Sequence, residues 1–366
     1  MTGKAVSMGG DGFFVHLPLV LTFIKTSSYW VHFFVKNNFR MKSLKTFWTT
    51  AIIVISAPFL SAQDIPRDSL WKVEGYGAVN LNQVSFTNWA AGGDNSVSFS
   101  LIGNLSAKYA KNRQSWDNSA NLNYGLIYTK EFGMRKNEDK LELESKYGYA
   151  LTENKKLALA LLGNFKSQFA SGYNYPNDSV VISKFAAPGY LTIALGIDWK
   201  PVDYFSLFVS PATGRILFVR DQDIANSGQY GNDAAVLDSV GNIITQGDKM
   251  RFDFGAYLSA KFQKEVVKNI TIMSKFDLFA NYTGDTKDSK VPDVNWETAF
   301  LFKVNDYLSA SLNLLLLYDK EIMIAKDDND NGSIEANEIT DRVQFKEALG
   351  VGLTYKFTNK KKVEKK

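Results

Sequence analysis

In Ser96-Val97-Ser98-Phe99-Ser100-Leu101-Ile102-Gly103-Asn104-Leu105-Ser106-Ala107-Lys108-Tyr109, the residues Val97, Phe99, Leu101, Leu105, Ala107 and Tyr109 share one parity, while Ser98, Ser100, Asn104, Ser106 and Lys108 hold the other. A period of two sends the two sets to opposite faces of a β-strand. Stretches of this kind recur, and the alternation places strands near 71–86, 96–110, 115–130, 139–151, 156–169, 189–199, 204–219, 250–265, 270–282, 293–304, 307–319 and 342–357. The spacers alternate in length. Lys111 to Gln114, Thr152 to Lys155, Lys200 to Asp203, Val266 to Asn269 and Asn305-Asp306 are short, whereas 87–95, 131–138, 170–188, 220–249, 283–292 and 320–341 are long. About twelve strands so connected predict an all-β fold, a closed antiparallel transmembrane β-barrel with short periplasmic turns and long extracellular loops. An even strand number leaves both barrel ends in the periplasm.

The two parities assign the two environments. Trp116, Ala120, Leu122, Tyr124, Leu126 and Tyr128 are expected to face lipid, as are Leu157, Leu159, Leu161, Phe165 and Phe169, and then Phe252, Phe254, Leu258 and Phe262. Aromatics recur near strand ends, where amphipathic rings suit the headgroup layer. The opposite parity carries Lys108, Asp117, Asn121, Asn123, Glu142, Glu144, Lys146 and Lys166, followed by Arg251, Asp253, Lys261, Lys275, Asp277, Glu297, Lys303 and Lys346. A Lys or Arg facing lipid at mid-depth costs about 2–4 kcal/mol, so these side chains are expected to line a lumen. Mixed signs there allow two arrangements: mutually paired charges that fill a narrow barrel, or a hydrated passage tuned by them. A soluble barrel with an internal ligand would reverse the two faces.

Upstream of the strands, Met41-Lys42-Ser43-Leu44-Lys45 is a basic start, Phe47 to Leu60 is apolar, and Ser61-Ala62-Gln63 offers a cleavage site, with Leu60 at an unfavourable position for it. Residues 41–63 therefore read as a signal peptide. Residues 1–40 read as an upstream extension lying before the start used in the cell, or else as a cytoplasmic extension of a membrane anchor. The barrel proper is then 64–358, with a basic periplasmic tail at 359–366. Residues 1–63 hold six of the 42 basic and one of the 38 acidic side chains, which leaves 36 against 37. A nearly neutral mature chain removes the compositional support for a nucleic-acid partner. Cysteine is absent, which excludes thiol chemistry and fits a barrel whose ladder has no free edge. No apolar run after Leu60 approaches the roughly 20 residues of a membrane helix.

Four segments carry a family likeness. They are Phe86-Thr87-Asn88-Trp89-Ala90-Ala91-Gly92-Gly93-Asp94-Asn95-Ser96; Ser210-Pro211-Ala212-Thr213-Gly214-Arg215; Val294-Asn295-Trp296-Glu297 leading to Val304-Asn305-Asp306-Tyr307-Leu308; and Leu317-Tyr318-Asp319. Together these resemble an outer-membrane barrel family of Bacteroidota known as domain of unknown function 3078, over essentially the whole mature chain. The resemblance implies a barrel in the bacterial outer membrane and no defined activity. Physically, the first segment reads as an external hairpin, with Gly92-Gly93 permitting positive φ and Trp89 as interfacial anchor, or as a ligand platform.

The sharpest chemical pattern is Asp327-Asp328-Asn329-Asp330-Asn331-Gly332-Ser333-Ile334-Glu335-Ala336-Asn337-Glu338. Oxygen donors at Asp327, Asn329 and Asn331, the turn glycine Gly332, the Ser333 carbonyl, a water-mediated Glu335 and a bidentate Glu338 follow the spacing of a twelve-residue calcium loop. It resembles an EF-hand loop flanked by strands instead of helices, and predicts a structural Ca²⁺ that orders the external loop. The plainer reading is an acidic loop tip kept hydrated by charge.

Enzymatic readings find little support. Serine hydrolase chemistry of the outer-membrane phospholipase kind needs a general base, and both histidines, His16 and His32, precede the signal peptide. Glu142 and Glu144 share a face and could do acid–base work, but lumen carboxylates usually pair with lysine or arginine. The expected partners are outer-membrane lipid, the barrel assembly machinery reading the closing Leu353, Tyr355 and Phe357, and a small polar solute if the lumen conducts. The tail from Thr358 to Lys366 reads as solvated. Two functions stay open: a narrow channel or transporter, or a closed barrel acting through its loops.

Overall fold

The computed structural model describes residues 70–84, 96–175, 178–283, 291–326, 329, 335 and 338–359. The segments expected to be a signal peptide and an upstream extension, the Phe86–Asn95 segment and most of the expected basic tail lie outside these residues. In chain order the strands are β1 (Trp71–Val84), β2 (Ser96–Lys111), β3 (Gln114–Thr129), β4 (Gly133–Ala150), β5 (Leu157–Ser167), β6 (Gly172–Tyr173), β7 (Val181–Ser183), β8 (Gly189–Val202) and β9 (Phe205–Phe218). A short helix, α1 (Gln222–Ser227), follows. Then come β10 (Val236–Leu237), β11 (Ile243–Thr245), β12 (Met250–Val267), β13 (Ile270–Asn281), β14 (Asp293–Lys303), β15 (Leu308–Tyr318), β16 (Met323–Ala325), β17 (Ile339–Asp341) and β18 (Gln344–Thr358).

Twelve of these close into one antiparallel barrel in the order β1-β18-β15-β14-β13-β12-β9-β8-β5-β4-β3-β2. The remaining six form three two-stranded hairpins, β6-β7, β10-β11 and β16-β17, in the loops. The largest departure from the sequence-based boundaries is at β4, which begins at Gly133 and pairs Lys136 with Leu126 and Arg135 with Ile127. The expected loop at 131–138 is therefore a tight turn. Apolar alternation fails there because the hairpin rises past the region where lipid demands it.

The side chains are inverted relative to a water-filling globule. Leu161, Leu195, Phe252 and Leu349 are at least half exposed, while Glu142 is 1% and Asp253 3% exposed. Outward polar groups are satisfied locally: the Trp296 indole N–H donates to Ser274 Oγ (3.0 Å), which pairs with Thr298 Oγ1 (2.9 Å). Unpaired polar groups facing hydrocarbon would be costly. No helix among the described residues is long and apolar enough to cross a membrane, and the crossing is made by strands.

The Ser210–Arg215 segment is a bulge. The register of β9 against β12 jumps from Tyr257↔Ser210 to Gly255↔Thr213. Pro211, which lacks an N–H, is tolerated in a sheet at such a place. Ser210 Oγ donates to the Leu195 and Ala212 carbonyls (2.7 and 3.0 Å), and Thr213 Oγ1 donates to Ser210 Oγ (2.9 Å). Across from it, a Cβ on Gly196 would lie 2.2 Å from the Val209 carbonyl oxygen, so glycine alone fits. The bulge shifts parity, so that Phe208 and Ser210 point inward before it and Thr213, Arg215 and Leu217 after it.

Candidate functional site: the barrel lumen

β4 stands five places from β13 and six from β14 around the ring, nearly facing them. Its inward carboxylates reach across. Lys275 of β13 sits 2.6 Å from Glu142 and 3.2 Å from Glu144. Lys140 lies 2.5 Å from Glu297 on β14 and 3.1 Å from Glu142. Lys261 of β12 pairs with Glu144, and Lys166 of β5 with Asp277 at 3.3 Å. Neutral donors complete the set: Tyr257 and Ser259 hydroxyls donate to Asp277 (2.8 and 2.7 Å), and the Asn164 amide to Glu142 (3.0 Å). Charges of both signs thus form a partition along a chord of the bore.

On one side of that chord, over the arc β5-β8-β9-β12-β13, Ala160, Leu162, Ala194, Phe208, Tyr257 and Phe279 make a buried apolar plug. Lys146 lies over the Phe208 ring (5.8 Å) and Arg215 over Phe279 (4.2 Å), joining plug to charge. On the other side, over β1, β2 and β3, the inward positions at mid-strand are uncharged, and apart from Ile102 they are polar: Tyr76, Asn104, Ser106, Ser119, Asn121 and Asn123. These are half-buried, not packed shut. A cavity of about 1040 Å³ runs along them, from Lys72, Lys108 and Asp203 at the turn end to Tyr190, Asp293 and Asp319 at the loop end. Among the described residues, ten Lys/Arg and ten Asp/Glu side chains line it, a balance of charge.

The loop end over the plugged arc is capped. Asp221 caps α1 by accepting from the Asp223 and Ile224 amides (3.1 and 3.3 Å). Ile224 and Ala225 pack with Ala187, Leu217 and Val219, and Tyr230 packs against them. Tyr230 donates to the Ile182 carbonyl (2.8 Å), and burial pushes its hydroxyl up to about 12. Arg251 joins three segments: it donates to the Gly231 carbonyl, pairs with Glu321 from the β15–β18 connection, and lies 3.1 Å from Asp253. Burial raises the Glu321 carboxyl above its ordinary value, against the opposing pull of Arg251.

Closed pairing, an apolar exterior and a charged interior together decide the location. The chain is an outer-membrane β-barrel. Residues 81–173 match the family described as Protein of unknown function (DUF3078). No curated protein matches the sequence. Among solved structures it is similar to an outer-membrane channel from Pseudomonas putida F1, at 11% identity over 78% of this chain and 94% of that one, with a TM-score of 0.34. The translocator domain of autotransporter NalP from Neisseria meningitidis gives 8% identity, coverage of 86% and 98%, and a TM-score of 0.33. Outer membrane phospholipase A from Escherichia coli gives 10% identity, coverage of 77% and 89%, and a TM-score of 0.31. At such scores the architecture rests on the strand pairing itself.

Of the inward residues expected from sequence, Glu142, Glu144, Lys166, Lys261, Lys275, Asp277 and Glu297 assemble in the partition. Lys303 does not: it is paired with Asp306 (2.6 Å) in the exposed β14–β15 turn. It stands at the last residue of its strand, where water is available without a lumen. Charge alternation gave no sign of the apolar plug, since inward Leu162, Phe208 and Phe279 break the expected pattern.

The described resembling segments have structural roles here. Asn295 and Glu297 point inward and Trp296 outward, and Asn305 Oδ1 accepts from the Tyr307 and Leu308 amides to close a turn (2.9 and 2.7 Å). Tyr318 donates to Asp341 (2.6 Å). Of the predicted calcium ligands, Asn329, Glu335 and Glu338 are described, whereas Asp327, Asn331 and Ser333 lie outside the described residues. Among the described residues no group of three or more acidic or histidine side chains gathers as a metal site. Glu338 is buried and its carboxylate accepts from the Glu335 amide (2.9 Å). The β16-β17 pairing brings the two ends of the segment together.

Proposed function

We propose that the protein is a narrow, off-centre channel for small polar solutes. The carrying observation is that the charges spend themselves on one another along a chord, beside a cavity that reaches from the turn end to the loop end and whose β1–β3 wall carries amides and hydroxyls. A group already paired does not bind a passing solute tightly, which favours exit as well as entry. Catalysis has no part in this reading, because the Glu142 and Glu144 carboxylates are engaged by lysines and the barrel holds no histidine. Lipid around the belt and assembly machinery reading Leu353, Tyr355 and Phe357 are its proposed partners.

Incorporation into planar bilayers tests it: small, stepwise conductance is expected, and a silent membrane with correctly folded protein refutes it. That second outcome belongs to a closed barrel working through its loops, a reading favoured by one observation, the Arg251–Glu321–Gly231 junction across the outer mouth.

We further propose that Ca²⁺ orders residues 327–338. The described Asn329, Glu335 and Glu338 are hard oxygen donors of the kind the cation takes, and the hairpin ends are already joined. Calcium would supply the charge that draws those donors together. Cleavage of this loop by protease should slow in calcium and resume with chelator; equal cleavage in both would exclude the site. An isolated external site of this type is expected near 10⁻⁴–10⁻³ M, on the order of other extracellular calcium modules.

A further inference from the structure

We infer that the solutes admitted are uncharged and hydroxyl-rich, of the monosaccharide class, a proposal that rests on the channel reading and narrows it. Three observations converge. Beside the apolar Ile102, the β2–β3 wall of the open arc carries side chains that both donate and accept: the Asn104 amide donates to Asn121 Oδ1, and this lateral bond leaves the Asn104 oxygen and the Asn121 amino group for another partner. Asn123, Ser106, Ser119 and the Tyr76 hydroxyl extend the same chemistry along β1–β3. On the facing wall, Asn295 Oδ1 is buried without a hydrogen-bond partner among the described residues, an acceptor awaiting a donor.

The charges supply the third point. Among the described residues ten cationic and ten anionic side chains line the cavity, and the central ones are paired at 2.5–3.3 Å. An ion entering a narrow bore loses hydration, and a balanced wall returns no net attraction to offset the loss. A sugar exchanges water for amides and hydroxyls at little cost, since each hydroxyl can donate to one group and accept from another. Tyr76 adds a ring of the kind on which a sugar face can lie.

Proteoliposome swelling tests this, with arabinose, glucose, lysine and glutamate as probes beside bilayer conductance in KCl. Arabinose and glucose should enter about tenfold faster than the two charged amino acids, with a reversal potential near zero in a KCl gradient. Asn104→Leu with Asn121→Leu should slow sugar entry severalfold. Asn121→Asp, which keeps size and disturbs folding less, should shift the reversal potential toward cations. Charged amino acids entering as fast as sugars would overturn the inference while leaving the channel intact. Unchanged sugar entry in the double leucine variant, together with an unchanged reversal potential in Asn121→Asp, would overturn the assigned wall. No swelling and no conductance would overturn the channel reading itself.

Discussion

Glu142 shows what a single residue contributes to this barrel. It is almost wholly buried, takes Lys275 and Lys140 at 2.6 and 3.1 Å and the Asn164 amide at 3.0 Å, and so anchors three strands at once. Removing one partner of a buried pair leaves the other charge uncompensated, a cost of about 3–5 kcal/mol. Glu142→Leu is therefore expected to lower the urea midpoint markedly and to raise single-channel conductance, while Glu142→Gln, which keeps the amide contact, should lose less. Denaturation followed by gel mobility, with conductance in parallel, checks both. Gly196 illustrates a steric requirement. Any side chain would collide with the Val209 carbonyl, so Gly196→Val should leave a larger share of unfolded, heat-insensitive protein on gels, overpacking costing about 1–3 kcal/mol.

Among the elements, the β15–β18 connection and the 219–249 loop meet at Arg251. Arg251→Gln removes the charge that holds Glu321 and Gly231 together, and proteolysis between 230 and 248 should become faster without loss of the barrel. Glu321 supplies a pH test. Its carboxyl titrates above the ordinary glutamate value because burial disfavours the charge, so the folded protein holds the proton more tightly than the unfolded chain. Its stabilising effect is full below the unfolded value and is lost as pH rises through the folded one. Glu321→Gln, permanently neutral, is thus expected to raise the unfolding temperature at pH 7.5, with the gap to the parent closing near pH 4. A gap that widens on acidification would contradict the assigned sign.

At the scale of the whole molecule, closure depends on the seam between β1 and β18, paired from Glu74↔Thr358 to Asn80↔Gly352, whereas β1 and β2 pair from Trp71↔Tyr109 to Val84↔Ser96. Asn359 extends the shorter seam, accepting from the Val73 amide (2.9 Å) and donating to the Trp71 carbonyl (2.9 Å). Backbone amides along this seam should exchange with deuterium sooner than those of β2–β3, and Asn359→Ala should accelerate them further at Val73. Equal protection around the ring would show that the seam is no weaker than its neighbours.

Period-two alternation was enough to place Val97, Phe99 and Leu101 on one face, to locate all twelve barrel strands and to put Glu142, Lys275 and Asp277 inside, because lipid on one side and a lumen on the other impose opposite chemistry on successive residues. The calcium loop was legible as a spacing of donors and no more. Only the tertiary structure decided that Lys140 meets Glu297 across 157 positions of chain, that Phe208, Tyr257 and Phe279 cluster on one side of the bore, and that Asn104 and Asn121 border the other. Alternation states which way a side chain points along its own strand. Which residue it faces across the lumen depends on strand order, bulges and closure, quantities set jointly by all twelve strands.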